Sequence, residues 1–426
     1  MSLKNLNPKL ILIIILTLGA FLRFYKLDWG EGLFAHPDEY HIVIAVNKLN
    51  FPSQINPHFF NYGTMVIYPI YFTKLLITNA NPFLIGRFYS ALYSTLTILA
   101  IFYISKFVLK EKYALISAFL VAVTPGLIQQ AHFATPESTL IFFITASLAM
   151  LLRFVNSSKL SYLILSSIFL GLGLGTKIVA SLFLPVLISG LLLKLWRSPA
   201  KLILLLCFSL LIVAVTFIIT SPFVFLNYHD WLYSIRYEGS LARGTTLVFY
   251  TRTFIGTLPV IFQLEKILPP ALGFPLLVFG ISGFALINFK LIKKFKPDLF
   301  LILLTFMCFF IANSLLFAKW TRFITPTFPF FAIFASFLLE QVNHHSKKVS
   351  LTLNFLLLVP TAIWSLAFFS IYVNHDVRIT ADNWIKSNLP PQSFYLVESA
   401  NTIDVPLSLQ KKSIDFFNLE NEAQTR

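Results

Sequence analysis

Leu202 to Thr220 reads LILLLCFSLLIVAVTFIIT, nineteen residues without a charge, bounded by Lys201 before it and Ser221-Pro222 after it. Coiled as an α-helix this stretch rises roughly 28 Å, close to the ~30 Å hydrocarbon thickness of a bilayer. A helix apolar on every face belongs in a large core or against lipid, because water penalises such a surface whichever way the helix turns. Comparable runs lie near residues 9–25, 84–105, 113–130, 138–152, 162–175, 178–193, 271–289, 299–317, 323–340 and 350–372, making about eleven expected spans in all. The fold class expected is an all-α polytopic membrane bundle.

Composition points the same way. Of 426 residues, 57% are hydrophobic and 12% charged, against roughly one-quarter charged in soluble domains, and the mean hydropathy is +0.77. The formal charge of +15 would suggest nucleic acid in a soluble chain. Here the basic residues sit between apolar runs, where they act as topology signals and phosphate partners, and no nucleic-acid partner is implied. Cys207 and Cys308 each fall inside an apolar run, with neither disulfide nor zinc spacing. The first run resembles a signal-peptide core, but Gly19-Ala20-Phe21-Leu22-Arg23 offers no small-residue cleavage site, so it reads as an uncleaved anchor.

Orientation follows from the lysines and arginines, which mark the cytoplasmic connections of a membrane protein. Lys4 and Lys9 precede the first span. Every second connection after it is short and basic: Lys106 to Lys112, Arg153 and Lys159, Lys194 to Lys201, Lys290 to Lys296, and Lys347-Lys348. This alternation predicts a cytoplasmic N-terminus, an extracytoplasmic C-terminus and a plasma-membrane location. The outer side then receives a first long loop at 26–83, a second at 221–270 and a tail at 373–426. Residues 1–372 form the transmembrane unit. Within the first loop, Tyr62 to Thr78 is aromatic and apolar, and crossing would break the charge alternation, so it is expected to lie in the interface. In the tail, Arg378 to Asn388 reads as helix, Pro390-Pro391 as a break and Phe394 to Val397 as strand. No fixed-period repeat or inverted duplication is visible.

The polar string His36-Pro37-Asp38-Glu39-Tyr40-His41 lies just beyond the first span. Proline followed by two acids suits a helix start, because carboxylates complement the positive end of the helix dipole. The alternative is chemical: Asp38, or failing it Glu39, is a general base at the outer mouth of the bundle, and mutual repulsion of the pair raises one proton affinity. Thr135-Pro136-Glu137-Ser138 repeats the pattern, as an ordinary helix start that again sets an acid on the outer face. Outer-side cations are the third element: Arg87, Lys177, Arg243, Arg252, Lys319 and Arg322. Each alone suits snorkelling to headgroups, and together they suit a lipid-linked phosphate. The glycines of GLGLGTK at 171–177 lack the strand context of a phosphate loop and read as close helix packing. His36, His41 and His132 have no ligand spacing, so hydrogen-bonding roles are favoured over a metal site. The aromatics Tyr228, Trp231, Tyr233, Tyr237 and Tyr250 fit an interfacial belt as well as a sugar platform.

In this order the motifs resemble the bacterial relatives of protein O-mannosyltransferases and lipid A aminoarabinose transferases, in the glycosyltransferase C superfamily. The matching stretches are HPDE at 36–39, FNYGT at 60–64, GR at 86–87, QQAHFATPES at 129–138, GLGLGTK at 171–177, FYTRTFIGTLP at 249–259, RFITPTFP at 322–329 and RITADNW at 378–384. The resemblance implies an inverting transfer on the non-cytoplasmic face, from a polyprenyl-phosphate sugar to an acceptor hydroxyl. It implies Asp38 as catalytic aspartate, with Glu39 and Glu137 as further candidates, and His36, Tyr62, Arg87, His132, Lys177, Arg252 and Arg322 as substrate-binding candidates. Glu137 stands where relatives commonly have aspartate, and the tail is shorter than their outer domain. No cofactor is required, and a divalent metal is optional. The partners expected are the lipid donor, membrane lipids and an acceptor that is protein, lipid or glycan. The rival reading, a transporter or lipid flippase, would place ionisable groups near mid-membrane; here the acids gather at one mouth.

Overall fold

The computed structural model describes residues 7–33, 36–77, 79–390, 392–398, 405–406 and 411–414. Lys4, Pro391 and most of the tail beyond Glu398, which entered the sequence reading, lie outside the described residues. Proline opens many of the helices, among them Pro8–Phe24, Pro37–Asn47, Pro82–Ser105, Pro199–Thr220 and Pro297–Ser314. At a first helical position the missing N–H has no intrahelical acceptor to lose, and the fixed φ is already helical.

Among the described residues eight helices are long and apolar enough to cross a bilayer, and Glu111–Ala122 with Pro125–Ala131, bent by 56°, makes a ninth if the pair is one span. By length and composition, then, nine of the eleven expected spans are supported. The two remaining runs are the helices Pro8–Phe24 and Leu160–Thr176, of 17 residues each, which rise only about 25 Å. The second ends where Lys177 leaves the helical region (φ −157, ψ 132) before the 3-10 turn Ile178–Phe183.

The helices sort into a buried centre and a greasy periphery. The apolar stretch of Thr321–His345 is 89% buried within the protein, whereas that of Pro199–Thr220, the most apolar helix, is 11% buried. Water would not tolerate the second surface, so lipid is its solvent. Pro82–Ser105 packs on Glu137–Ser157, Glu111–Ala122 and Pro8–Phe24; Leu160–Thr176 joins Glu137–Ser157 to Pro199–Thr220; and Phe328–His345 packs between Phe274–Lys293 and Glu111–Ala122. The bend before Pro125 is stapled by Arg23. Its fully buried guanidinium donates to the carbonyls of Val121 (3.0 Å) and Ala122 (2.8 Å) and to Ser94 Oγ (2.7 Å), satisfying carbonyls that a broken helix leaves free.

The bundle has two chemically different ends. At one, the basic connections meet: the Lys110 N–H donates to Glu340 (3.2 Å), Lys194 Nζ to the Val155 carbonyl (2.7 Å) and Asn156 Nδ2 to Asp298 (2.7 Å), and Lys290 donates to Gln341. At the other, the helix starts at Pro37, Glu137 and Thr321 converge with the end of Leu160–Thr176. There the first long loop folds as Pro37–Asn47 and Thr64–Leu76, packed through Ile42, Val46, Ile67 and Ile70. The 13-residue helix Thr64–Leu76 rises about 20 Å, too little to cross, and leaves Phe72, Leu75 and Leu76 exposed. The second long loop carries the amphipathic helix Tyr228–Arg243. Beyond the last span the chain forms the helix Val377–Asn388 and a parallel pairing of Tyr395–Glu398 with Lys411–Ile414.

Candidate active site

The end away from the basic connections holds a cavity of about 580 Å³, whose wall includes His36, Asp38, Tyr62, Glu238, Trp320 and Arg322. Asp38 reaches it from the first turn of Pro37–Asn47. His36 caps that helix, its Nδ1 accepting the Asp38 N–H at 3.1 Å. Successive helical residues point about 100° apart, so the adjacent acids diverge. Asp38 faces the cavity, its side chain 15% exposed; Glu39 turns into the bundle and is wholly buried.

Each carboxylate therefore has its own arginine. Arg322 NH1 and the Tyr62 hydroxyl (2.7 Å) both donate to Asp38 Oδ2. Arg87 donates to both oxygens of Glu39, at 3.0 and 3.3 Å, and the Ala134 N–H adds a third bond at 2.7 Å. The expected repulsion between the two acids is overturned by this separation. Burial pushes the Asp38 carboxyl up, but the Arg322 guanidinium, joined by His36, the Tyr62 hydroxyl and Lys177, outweighs it and holds the group below the ordinary carboxylate value. Burial and then the Asp38 charge push the Tyr62 phenol well above its ordinary value, so Tyr62 is a neutral donor.

Behind Tyr62 lies a second ion pair, Lys177 Nζ to Glu137 Oε1 at 3.0 Å, with Glu137 1% exposed. The ammonium also sits over the rings of Tyr62 (5.4 Å) and Phe323 (5.6 Å). Its placement depends on a close crossing. The Gly63 N–H donates to the Thr176 carbonyl at 2.9 Å, and a Cβ on Gly63 would lie 1.9 Å from the Gly175 carbonyl oxygen. The glycines of FNYGT and GLGLGTK thus bring Tyr62, next to Gly63, and Lys177, two residues beyond Gly175, to one point. The packing role expected for the GLGLGTK glycines is the role they have: Gly171 and Gly175 also meet Thr216 and Thr220 of Pro199–Thr220.

Three candidates lie elsewhere. Arg87 is off the cavity wall, fully buried, with its guanidinium also 3.9 Å from the Phe83 ring centroid and 5.1 Å from that of Trp29. His132 is buried, stacked on Tyr372 at 3.6 Å, with its ring nitrogens at the carbonyls of Ile128 and Tyr25. Arg252 is exposed on the turn Phe249–Phe254, and it is Tyr250 from that turn that lines the cavity. Conversely, Glu238 and Asn61 were not singled out from the sequence. Glu238 projects from Tyr228–Arg243 and accepts from Asn61 Nδ2 at 2.6 Å. Burial pushes its carboxyl above the ordinary value. Its only sequence signal is an acid on the apolar side of an amphipathic helix. Among the described residues, no three His, Cys, Asp or Glu side chains converge as a metal site.

A helical membrane bundle with one polar, ion-paired cavity at one end defines the class, and the comparisons narrow it. Residues 65–225 match the sequence family described as dolichyl-phosphate-mannose-protein mannosyltransferase. This partial match and a fold shared with solved glycosyltransferases agree with the resemblance read from the sequence. The oligosaccharyltransferase of Archaeoglobus fulgidus in its apo form is 17% identical with a TM-score of 0.61, over 91% of this chain and 59% of that one. ArnT from Cupriavidus metallidurans, bound to undecaprenyl phosphate, is 13% identical with a TM-score of 0.56, over 97% of this chain and 88% of that one. The archaeal enzyme, as AglB, is also solved with an inhibitory peptide and a dolichol-phosphate, at 16% identity and a TM-score of 0.59 over 90% of this chain and 58% of that one. The chain thus spans a little under three-fifths of the archaeal enzyme's length. No curated protein sequence matches it.

Proposed function

We propose that this protein is a membrane glycosyltransferase that moves a sugar from a polyprenyl-phosphate donor to an acceptor hydroxyl on the non-cytoplasmic face, with inversion. The observation that carries the reading is Asp38: a carboxylate on the wall of a cavity, at the bundle end opposite the basic connections, held by Arg322 and Tyr62. The neighbours solved with dolichol-phosphate and undecaprenyl phosphate support the donor class.

In this reading Asp38 takes the acceptor hydroxyl proton as that oxygen bonds to the anomeric carbon. The bond from that carbon to the phosphate oxygen breaks, and its electron pair leaves with the polyprenyl phosphate. Arg322 is the natural phosphate partner. Its Nε is buried without a hydrogen-bond partner among the described residues, so one face of the guanidinium remains available while the other holds Asp38. A phosphate drawing Arg322 toward itself loosens the ion pair and makes Asp38 a stronger base when the donor is present. Lys177, balanced by Glu137 and boxed by Tyr62 and Phe323, supplies a second positive charge beside the departing phosphate. Glu39 and Arg87, fully buried and mutually satisfied, form the frame that fixes the Pro37–Asn47 helix, and chemistry at Glu39 is not part of the proposal.

The test is donor turnover. Purified protein in detergent is incubated with a radiolabelled undecaprenyl-phosphate hexose and an extract of extracytoplasmic glycans, glycolipids and proteins. Labelled product with release of undecaprenyl phosphate is expected; intact donor carried across proteoliposomes without cleavage would instead establish the flippase reading.

A further inference from the structure

The cavity has a second side that the transfer step leaves unused. Glu238 is the other carboxylate on the wall, and among the described residues its hydrogen-bond partner is the Asn61 amide. Among the described residues it forms no ion pair: Arg322 is held by Asp38, Lys177 by Glu137, and Arg252 does not line the wall. The wall therefore presents two carboxylates against one guanidinium. The wall also carries His41, Tyr250 and Trp320, hydrogen-bonding groups and flat rings. The Trp320 indole is fixed by the edge of Phe254, with ring centroids 4.7 Å apart at 83°.

The helix bearing Glu238 is pinned at both ends. Asn56 Nδ2 donates to Asn227 Oδ1 at 3.0 Å before it, and the Ala318 N–H donates to the Ala242 carbonyl at 3.1 Å near its end. Glu238 is thus presented at a fixed place on the wall that also carries Asp38.

We infer that Glu238 and Asn61 form the acceptor subsite of this cavity, and that the acceptor is an uncharged sugar residue whose hydroxyl donates to Glu238. The inference rests on the glycosyltransferase reading above and adds the acceptor class to it. A phosphate or carboxylate on the acceptor would be brought beside an uncompensated carboxylate and disfavoured, whereas a ring hydroxyl finds an acceptor there and the apolar ring face finds Trp320. Burial, by raising the proton affinity of Glu238, makes the carboxylate a stronger hydrogen-bond acceptor. Holding one hydroxyl at Glu238 aims its neighbour at Asp38.

The full chain in nanodiscs of neutral phospholipid is supplied with undecaprenyl-phosphate hexose and, in separate arms, methyl hexopyranosides, their 6-phosphates or a serine- and threonine-containing peptide. Products are identified by mass. The glycosides are expected to be used at least tenfold better, in kcat/KM, than their phosphates and the peptide. Glu238→Gln should raise the glycoside KM at least tenfold while the donor KM moves less than twofold, and Glu238→Lys should erase the discrimination against the phosphates. Asn61→Ala, which removes only the orienting amide, should raise the glycoside KM severalfold and guards against a folding failure of the first variant. Preference for phosphates or peptide, or equal changes in both KM values, overturns the acceptor assignment and leaves the transferase reading intact. Absence of donor cleavage in every arm overturns both.

Discussion

Arg322 and Asp38, 284 positions apart in the chain, meet on the wall of the cavity, where the guanidinium donates to the same carboxylate oxygen that accepts the Tyr62 hydroxyl. The pairing keeps Asp38 ionised in acid. Burial alone would raise the carboxyl; the arginine is the leading cause of its net lowering. In Arg322→Gln the burial effect is no longer outweighed, so the acidic limb of the pH–rate profile should move to higher pH. Measured as donor turnover across the acidic range, an unshifted limb would remove Arg322 from control of the base. The same linkage acts on stability. A lowered folded-state pKa contributes stability above the ordinary carboxylate value and loses it as pH falls through the lowered one, so the variant should melt earlier than the wild type near neutral pH and the gap should close in acid.

Asp38→Asn keeps the shape and the Tyr62 contact but cannot take a proton. Donor turnover should fall by about 10²- to 10⁴-fold, the range for loss of a general base, with a modest drop in melting temperature from the lost Arg322 pair. Glu137→Gln should fall less, through a mispositioned Lys177. Near-normal turnover in Asp38→Asn would exclude it as base.

Glu39 and Arg87 are expected to behave as structure. Both are fully buried and bonded to one another. Removing one charge strands the other, so Glu39→Gln or Arg87→Gln should each cost about 3–5 kcal/mol. The double variant Glu39→Gln with Arg87→Met should recover part of that loss and part of the turnover. A catalytic role for Glu39 would show as recovered stability with no recovered turnover.

Much of this was legible in local pattern. The uncharged run at 202–220, the alternation of lysine-rich connections and the proline-led starts at Pro37 and Glu137 each depend on residues close in the chain, and they fixed the bundle and the end that bears Asp38. What escaped were pairings across long separations. Nothing near Glu39 announces that Arg87 will take it. Nothing near Asp38 announces Arg322, so two acids side by side in sequence read as rivals when the helix had turned them apart. Glu238 was hidden differently, among tyrosines and a tryptophan that suit an interfacial belt. The span count rested on apolar runs, which do not distinguish a 17-residue helix such as Leu160–Thr176 from one long enough to cross with ease.

The two ends of the bundle should lie in different compartments. In a variant lacking Cys207 and Cys308, a cysteine at Lys294 should be shielded from a membrane-impermeant thiol reagent applied to intact cells, while one at Asn388 reacts, because lysine-rich connections stay cytoplasmic. Both positions are exposed, so accessibility within the protein does not confound the result. The opposite pattern would invert the topology and move the cavity to the cytoplasmic face.

Gly63 tests whether the crossing of two loops positions the site. A Cβ there would lie 1.9 Å from the Gly175 carbonyl oxygen, a backbone atom that cannot swing away as a side chain can. Gly63→Ala must therefore part the FNYGT turn from the end of Leu160–Thr176 and break the Gly63 N–H bond to the Thr176 carbonyl. Overpacking of this kind costs about 1–3 kcal/mol. Because Tyr62 and Lys177 are the residues next to that contact, the loss should fall harder on chemistry than on stability: turnover down at least tenfold, with a modest drop in melting temperature. Gly32→Ala, whose added methyl meets nothing within 4 Å but whose φ of +92° strains any side chain, is the control for a backbone penalty away from the site. It should lose stability with turnover per folded molecule unchanged, and equal turnover losses in the two variants would deny the glycine crossing its positioning role.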